Sequence, residues 1–201
     1  MGNENMSPNS GKRFRSDGSI ADDGDSYDEY NRKISIEAER DETNKGNFYG
    51  TARVFTLAAE ATAYLTFDVP DKYIFITNRI VKATDEGSSG VDLEVDTFED
   101  AVIDTQGNSV VIQNANRNSS NTSEISIYDE TTSVDITGAT QILPTSDRIT
   151  ADKKSGNIAF LSIGYLIKKN AVTAVRFINN STTNVEIRHK VLWIERELVL
   201  S

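Results

Sequence analysis

The run from Val185 to Trp193 alternates in chemistry. Val185, Ile187, His189, Val191 and Trp193 hold one set of positions, and Glu186, Arg188 and Lys190 hold the other. Only an extended strand places residues i and i+2 on the same face, so this segment is a strand with one buried and one wet side. The texture recurs. Val91, Leu93 and Val95 alternate with Asp92, Glu94 and Asp96. Ala63 to Val69 carries Leu65, Phe67 and Val69 and stops at Pro70. Tyr73 to Ala83 is apolar at both sets of positions, which predicts a central strand buried on both faces.

Further short runs follow the same rule. They are Ala52 to Leu57, Ser109 to Gln113, Ile125 to Tyr128, Val134 to Ile136, Ile142 with Leu143, Asn157 to Ile167 and Ala171 to Ile178. Between them lie turn clusters: Asp85 to Gly90, Gln106-Gly107-Asn108, the polar stretch Asn114 to Ser123, Lys168-Lys169-Asn170, and Asn179 to Asn184. The runs are rich in Val, Ile, Thr, Phe and Tyr, no long helical period intervenes, and no fixed-length repeat is visible. Short strands closely spaced by turns predict an all-β fold, a two-sheet antiparallel β-sandwich of jelly-roll-like type with an extended N-terminal arm. The expected divisions are the arm at 1–31, a connecting segment at 32–49 and the sandwich at 50–201. Within the connecting segment, Ile34 and Ile36 alternate with polar residues. The charged stretch Glu37 to Lys45, ended by Gly46, reads equally as a short helix or an exposed strand end.

The N-terminal stretch has little to bury. Met1 to Asp25 is Gly-, Ser-, Asn- and Asp-rich, with Phe14 and Ile20 isolated, a composition that reads as a disordered tail in a free monomer and as a docking segment where a partner holds it. Its charge is divided: Lys12, Arg13 and Arg15 are basic, and Asp22, Asp23, Asp25, Asp28 and Glu29 are acidic. An extended segment of this kind docks through main-chain hydrogen bonds and a few anchors, for which Phe14, Tyr27 and Tyr30, with the basic cluster, are the candidates.

Over 201 residues the formal net charge is -10, which repels phosphate backbones and anionic lipid. Nucleic acid and membrane are therefore not expected partners. No apolar run reaches the roughly 20 residues that span a bilayer, and the polar start from Met1 to Ser10 carries no secretory pattern, so synthesis in the cytoplasm is expected. The chain has no cysteine, which removes disulfides, thiolate metal sites and cysteine nucleophiles.

The remaining chemistry is sparse. His189, the one histidine, lies on the apolar face of the last run, where a core role outweighs a triad or metal role. Asp92, Glu94 and Asp96 place three carboxylates on one strand face; this reads as a solvated face, with a surface calcium site or a hydrolytic carboxylate pair as the alternatives. The acidic run DDGDSYDEY lacks the ligand spacing of a calcium loop. Asn118, Asn121 and Asn180 begin N-x-S/T triplets expected by chance in Asn-rich loops, and no phosphate-cradling Gly motif occurs. Arg117, beside Asn116 in the polar stretch, is expected to hold that loop, with contact to a partner or glycan as the alternative. Trp193 is expected in the core, with a sugar platform or interface anchor as the alternative. The chain is thus expected to carry no catalytic residue, metal or cofactor.

Three blocks carry a resemblance: YIFITN at Tyr73 to Asn78, NANRNSSNTSEISIYDETTSVDITGAT at Asn114 to Thr140, and YLIKKNAVTAVRFINNSTTNVEIRHKVLWIERE at Tyr165 to Glu197. In order and spacing they resemble a diffuse family of tailed-bacteriophage virion proteins. There an N-x-N-R-x-S loop precedes a Y-x-x-x-T…G hairpin, and an F-x-N strand and a polar turn lead to a final strand ending in W-x-E. The matching residues here are Asn114, Asn116, Arg117, Ser119, Tyr128, Thr132, Gly138, Phe177, Asn179, Trp193 and Glu195. The resemblance implies a jelly-roll-like structural subunit of the virion, in a head-decoration, neck or tail accessory position. Its implied partners are other virion proteins (capsid, portal or neck, tail) and further copies of itself, with a trimer favoured. A host-surface or glycan-binding module of the virion is the alternative, and a depolymerase the more distant one.

Overall fold

The computed structural model describes residues 41–85, 90–142, 147–151, 157–160 and 165–196, and two short strands before them. The chain divides into two compact units, Met1–Asp41 and Glu42–Ser201. In the first, β1 (Asn5–Met6) pairs antiparallel with β2 (Arg13–Phe14), in the register Asn5 to Phe14 and Met6 to Arg13. The remainder of the predicted arm, including Lys12, Arg15, Tyr27 and Tyr30, lies outside the described residues, as do Ile34 and Ile36.

The second unit is the sandwich. A helical turn at 41–45 precedes β3 (Phe48–Leu57), which starts two residues before Gly50 because Phe48 and Tyr49 are already buried. There follow β4 (Thr62–Val69), β5 (Tyr73–Asp85), β6 (Val91–Glu99), β7 (Val102–Thr105), β8 (Gln113–Asn114), β9 (Ser126–Tyr128), β10 (Ser133–Asp135) and β11 (Thr140–Gln141). The chain ends with β12 (Asp147–Ala151), β13 (Asn157–Phe160), β14 (Tyr165–Ile167), β15 (Ala171–Asn179) and β16 (Val185–Arg196).

Two sheets result. Sheet I runs β13–β5–β16–β3–β8, with β14 continuing the β13 position beside β5; sheet II runs β11–β6–β15–β4–β9, with β12 also beside β6. All these pairings are antiparallel. Successive long strands β3, β4, β5 and β6 alternate between sheets, and β16 and β15 return to lie between them. This is the double Greek key of a jelly roll. The segment between β6 and β12 is a long insertion. It sends β8 onto the free side of β3 and β9 onto the free side of β4, so one lateral edge of each sheet is paired. Its β7 and β10 pair with each other.

The alternation seen in sequence does the packing. Ile187, Val191 and Trp193 from β16, Phe55 and Leu57 from β3, Leu65 and Phe67 from β4, Leu93 and Val95 from β6, and Val175 and Phe177 from β15 form one buried cluster. Phe55 of sheet I meets Phe177 of sheet II edge-to-face, with ring centroids 5.5 Å apart. Each fully buried side chain of this size contributes roughly 1.5–3 kcal/mol of transfer free energy.

Strand β5 corrects the two-sided expectation. Its pairing with β16 slips between Leu192 and Trp193, so that Asn78 faces Leu192 while Ile76 faces Trp193, leaving Thr77 extra. Below this bulge Ile74 and Ile76 point inward; above it Arg79, Val81 and Ala83 do. The continuous apolar run is therefore one inward face that changes phase, and Phe75 is exposed. Two further runs break differently from expectation: Ser109 to Gln113 makes only an isolated bridge at Ser109 before β8, and Asn157 to Ile167 divides into β13 and β14. Asn170, in the turn before β15, has φ of 53°, a left-handed conformation that asparagine tolerates better than most residues.

Candidate functional site

The polar stretch Asn114 to Ser123 has a defined job at the end of the helical turn. Gly46 takes φ of 76°, its N–H donates to the Thr43 carbonyl at 3.0 Å, and Asn47 N–H donates to the Glu42 carbonyl at 2.9 Å. This is the left-handed cap that closes a helix. It still leaves carbonyls pointing outward, and three asparagines meet them. Asn116 Nδ2 donates to Asn44 O at 3.2 Å, Asn121 Nδ2 to Lys45 O at 3.2 Å and Asn114 Nδ2 to Gly46 O at 2.9 Å. The same side chains shape their own loop: Asn114 Oδ1 accepts from Asn116 N–H, Asn116 Oδ1 from Asn118 N–H and Ser119 Oγ from Asn121 N–H. Alternate asparagines can do both because each amide carries an acceptor and a donor on opposite corners.

The far end of the loop is held by Glu195. Its carboxylate is buried and accepts from Trp193 Nε1 at 2.9 Å, from Glu124 N–H at 3.1 Å and from the Ser123 hydroxyl. Glu42 anchors the other side, with Arg196 Nη2 at 2.7 Å and Asn47 Nδ2 at 3.2 Å. The loop that carries the N-x-N-R-x-S pattern thus caps the helical turn, and Glu195 of the W-x-E pattern ties that loop's end at Ser123 to the last strand.

Arg117 stands apart from this. It is exposed, and among the described residues it makes no hydrogen bond or ion pair; the bonds expected of it are made by its asparagine neighbours. It lines a groove of about 520 Å³ between the insertion and the outer surface of sheet I, whose floor is Gly50 and Ala52 and whose walls include Lys190, Leu192 and Val111. The floor is open because Gly50 has no side chain; a Cβ there would stand 2.5 Å from Leu192 Cδ2.

A second polar assembly lies in the core. Arg79, carried inward by the β5 bulge, donates from Nε to His189 Nε2 at 3.1 Å and from Nη1 to Thr97 Oγ1 at 2.6 Å. All three residues are buried, and they join sheet I to sheet II. Burial, then the Arg79 charge, holds the His189 imidazole well below its usual pKa, so it is the neutral acceptor. His189 is therefore a buried, neutral group that accepts from Arg79.

Two of the three carboxylates in the ladder are paired, Asp92 and Asp96, which corrects the reading of all three as a solvated face. Arg148 clasps Asp92 through Nε at 2.8 Å and Nη2 at 2.5 Å, and its hydrogen bonds hold the Asp92 carboxyl below the usual range. Asp96 is buried, accepts from Arg176, and takes Gln141 Nε2 at 3.1 Å. Among the described residues no group of His, Asp or Glu side chains is arranged to hold a metal ion.

Sequence reasoning did not single out Asp129, which organises the insertion. Its carboxylate accepts from Asn108 N–H at 3.0 Å, Asn108 Nδ2 at 3.1 Å, Thr131 N–H at 3.2 Å and Thr131 Oγ1 at 2.6 Å. Burial pushes this carboxyl up, but the hydrogen bonds from Thr131 and Asn108 outweigh it and hold the pKa below the usual value. Arg53 of β3 reaches the same corner, gripping Glu130 through Nε at 2.8 Å and Nη2 at 2.6 Å. The signal was an Asp followed by two threonines at a turn, a pattern common in loops generally.

No protein-family model matches the chain, and no curated protein or solved structure matches it. Among the described residues no helix is long and apolar enough to cross a membrane.

Proposed function

We propose that the chain is a non-enzymatic structural subunit of a phage virion, a jelly-roll body whose N-terminal segment docks on neighbouring capsid, neck or tail proteins. The observation that carries this reading is the sheet order, β13–β5–β16–β3 against β12–β6–β15–β4. Viral capsid domains are among the families that use this topology. The engagement of the reactive groups points the same way: His189 is spent in the core, and Asp92, Asp96 and Glu195 are each tied to structural partners. The docking anchors are Phe14, Tyr27 and Tyr30 with Lys12, Arg13 and Arg15, and the body is one of several identical copies, three in the favoured arrangement. The test is to supply the chain without Met1–Asp25 alongside the full chain during infection and quantify both in purified particles. Depletion of the truncated chain is expected; equal occupancy overturns the proposal.

The second reading is a host-surface or glycan-binding module, favoured by the groove beneath Arg117 and Lys190. Retention on a glycan array that disappears in both Arg117→Ala and Lys190→Ala would favour it over the first.

A further inference from the structure

The two outer faces of the sandwich carry opposite charge. On sheet I the outward positions of β5 and β16 bring together Lys82, Arg188, Lys190 and Arg196 against Glu186, by the register Lys82 to Arg188 and Ile80 to Lys190. Arg188 is answered by Glu186 and Arg196 by Glu42, but among the described residues Lys82 and Lys190 form no hydrogen bond or ion pair. On sheet II the outward positions of β4, β6, β12 and β15 bring together Asp68, Asp92, Glu94 and Asp96 against Arg148 and Arg176. Arg148 is bound to Asp92 and Arg176 to Asp96, which leaves Asp68 and Glu94 without a hydrogen bond or salt bridge among the described residues. Both faces also carry apolar surface. Val54, Phe75 and Leu166 are exposed on sheet I, and Tyr64, Val172 and Ile178 are half-buried on sheet II. The edges offer less: β8 and β9 already occupy the free sides of β3 and β4.

We infer that the outer face of sheet I in one copy docks on the outer face of sheet II in a second copy, with Lys190 and Lys82 set against the Glu94 side of the ladder. The inference rests on the reading of the chain as one of several identical subunits and names the surfaces through which they meet. Charge decides the pairing. Sheet I on sheet I would bring lysine to lysine, and sheet II on sheet II carboxylate to carboxylate, each carrying a repulsive cost. Opposite faces attract, which matters in a chain of net charge -10. The contact is heterologous: a pair still presents one free face of each kind, so assembly continues past the dimer, to a ring where the rotation closes and to an open filament where it does not.

A charge swap tests this in the purified full chain, by sedimentation velocity at low ionic strength. The full chain is expected to self-associate beyond dimer, and added salt to weaken it. Lys190→Glu and Glu94→Lys, both at half-buried or exposed positions, are each expected to weaken association by about tenfold or more. An equimolar mixture of the two variants is expected to regain it, because each supplies the face that the other's altered face requires. Far-UV circular dichroism and urea midpoints close to the full chain's are expected of both variants. A full chain that stays monomeric at micromolar concentration, variants that associate unchanged, or a mixture that fails to recover would each overturn the inference. Particle occupancy of the truncated chain reports on the N-terminal segment alone, so the two failures are distinguishable.

Discussion

The indole N–H of Trp193 donates to the carboxylate of Glu195, two residues on in the same strand, at 2.9 Å. Both residues are buried on the inner side of β16. The same carboxylate accepts from Glu124 N–H and the Ser123 hydroxyl, so a single side chain satisfies a core indole and fastens a loop more than seventy residues away in sequence. Glu195→Ala leaves buried donors without an acceptor and is expected to cost about 2–4 kcal/mol; Glu195→Gln, which keeps one acceptor oxygen, about half of that. Urea unfolding gives the difference. Trp193 is the sole tryptophan, so a red-shifted native emission in Glu195→Ala would register water reaching the indole.

The asparagine loop separates two neighbours that look alike in sequence. Asn116 bridges Asn44 O and the Asn118 N–H, whereas Arg117 engages nothing among the described residues. Asn116→Ala is expected to lose about 1–2 kcal/mol, and Arg117→Ala to stay within about 0.5 kcal/mol of the parent. Equal losses in chemical denaturation would show that the guanidinium also supports the loop.

Most of the sandwich is legible in the alternation of its strands, because each long strand buries one face and wets the other. Legibility fails where a single backbone event intervenes. The bulge at Thr77 converts a one-faced strand into what reads as a two-faced one and carries Arg79 into the core. Within β12, Ile149 is buried between the exposed Arg148 and Thr150, and β7 has Val102 exposed, so neither offers a run of apolar residues to read. The W-x-E and N-x-N-R-x-S patterns are visible as strings, but their joint role is not. Glu195 meets Ser123, and Asn116 meets Asn44, only after the Greek key has brought distant segments together.

Gly46 combines two constraints that no other residue type meets. Its φ of 76° is left-handed, and a Cβ would stand 2.1 Å from Ser119 Oγ and 2.7 Å from Ser119 Cβ. Gly46→Ala must therefore bear a strained backbone and displace the loop that caps the helical turn, a cost of about 2–3 kcal/mol. Pairing it with Ser119→Gly removes the two Ser119 contacts, while the backbone term stays and the bond from Asn121 N–H to Ser119 Oγ is lost. Partial recovery of the urea midpoint in the double variant is the expected result; no recovery would mean that the loop does not pack on Gly46 as described.

The core histidine sets a pH window. His189 has an ordinary pKa of 6.5, and burial beside Arg79 holds it well below this in the folded protein. As pH falls through 6.5 the unfolded chain takes up a proton that the folded chain refuses, so the unfolded state gains and stability falls. The loss approaches about 1.4 kcal/mol per pH unit and continues until the folded value is reached. Asp92 and Asp129, both held below their ordinary 3.8, add their own loss only when pH falls through that lower range. His189→Asn has no proton to take up, so its unfolding free energy should be flat from pH 6.5 to about 5 while the parent's declines, and both should fall below about pH 4. Urea titrations at half-unit steps measure the two slopes. A parent curve as flat as the variant's across the upper window would mean that His189 is protonated in the fold, with Arg79 donating elsewhere.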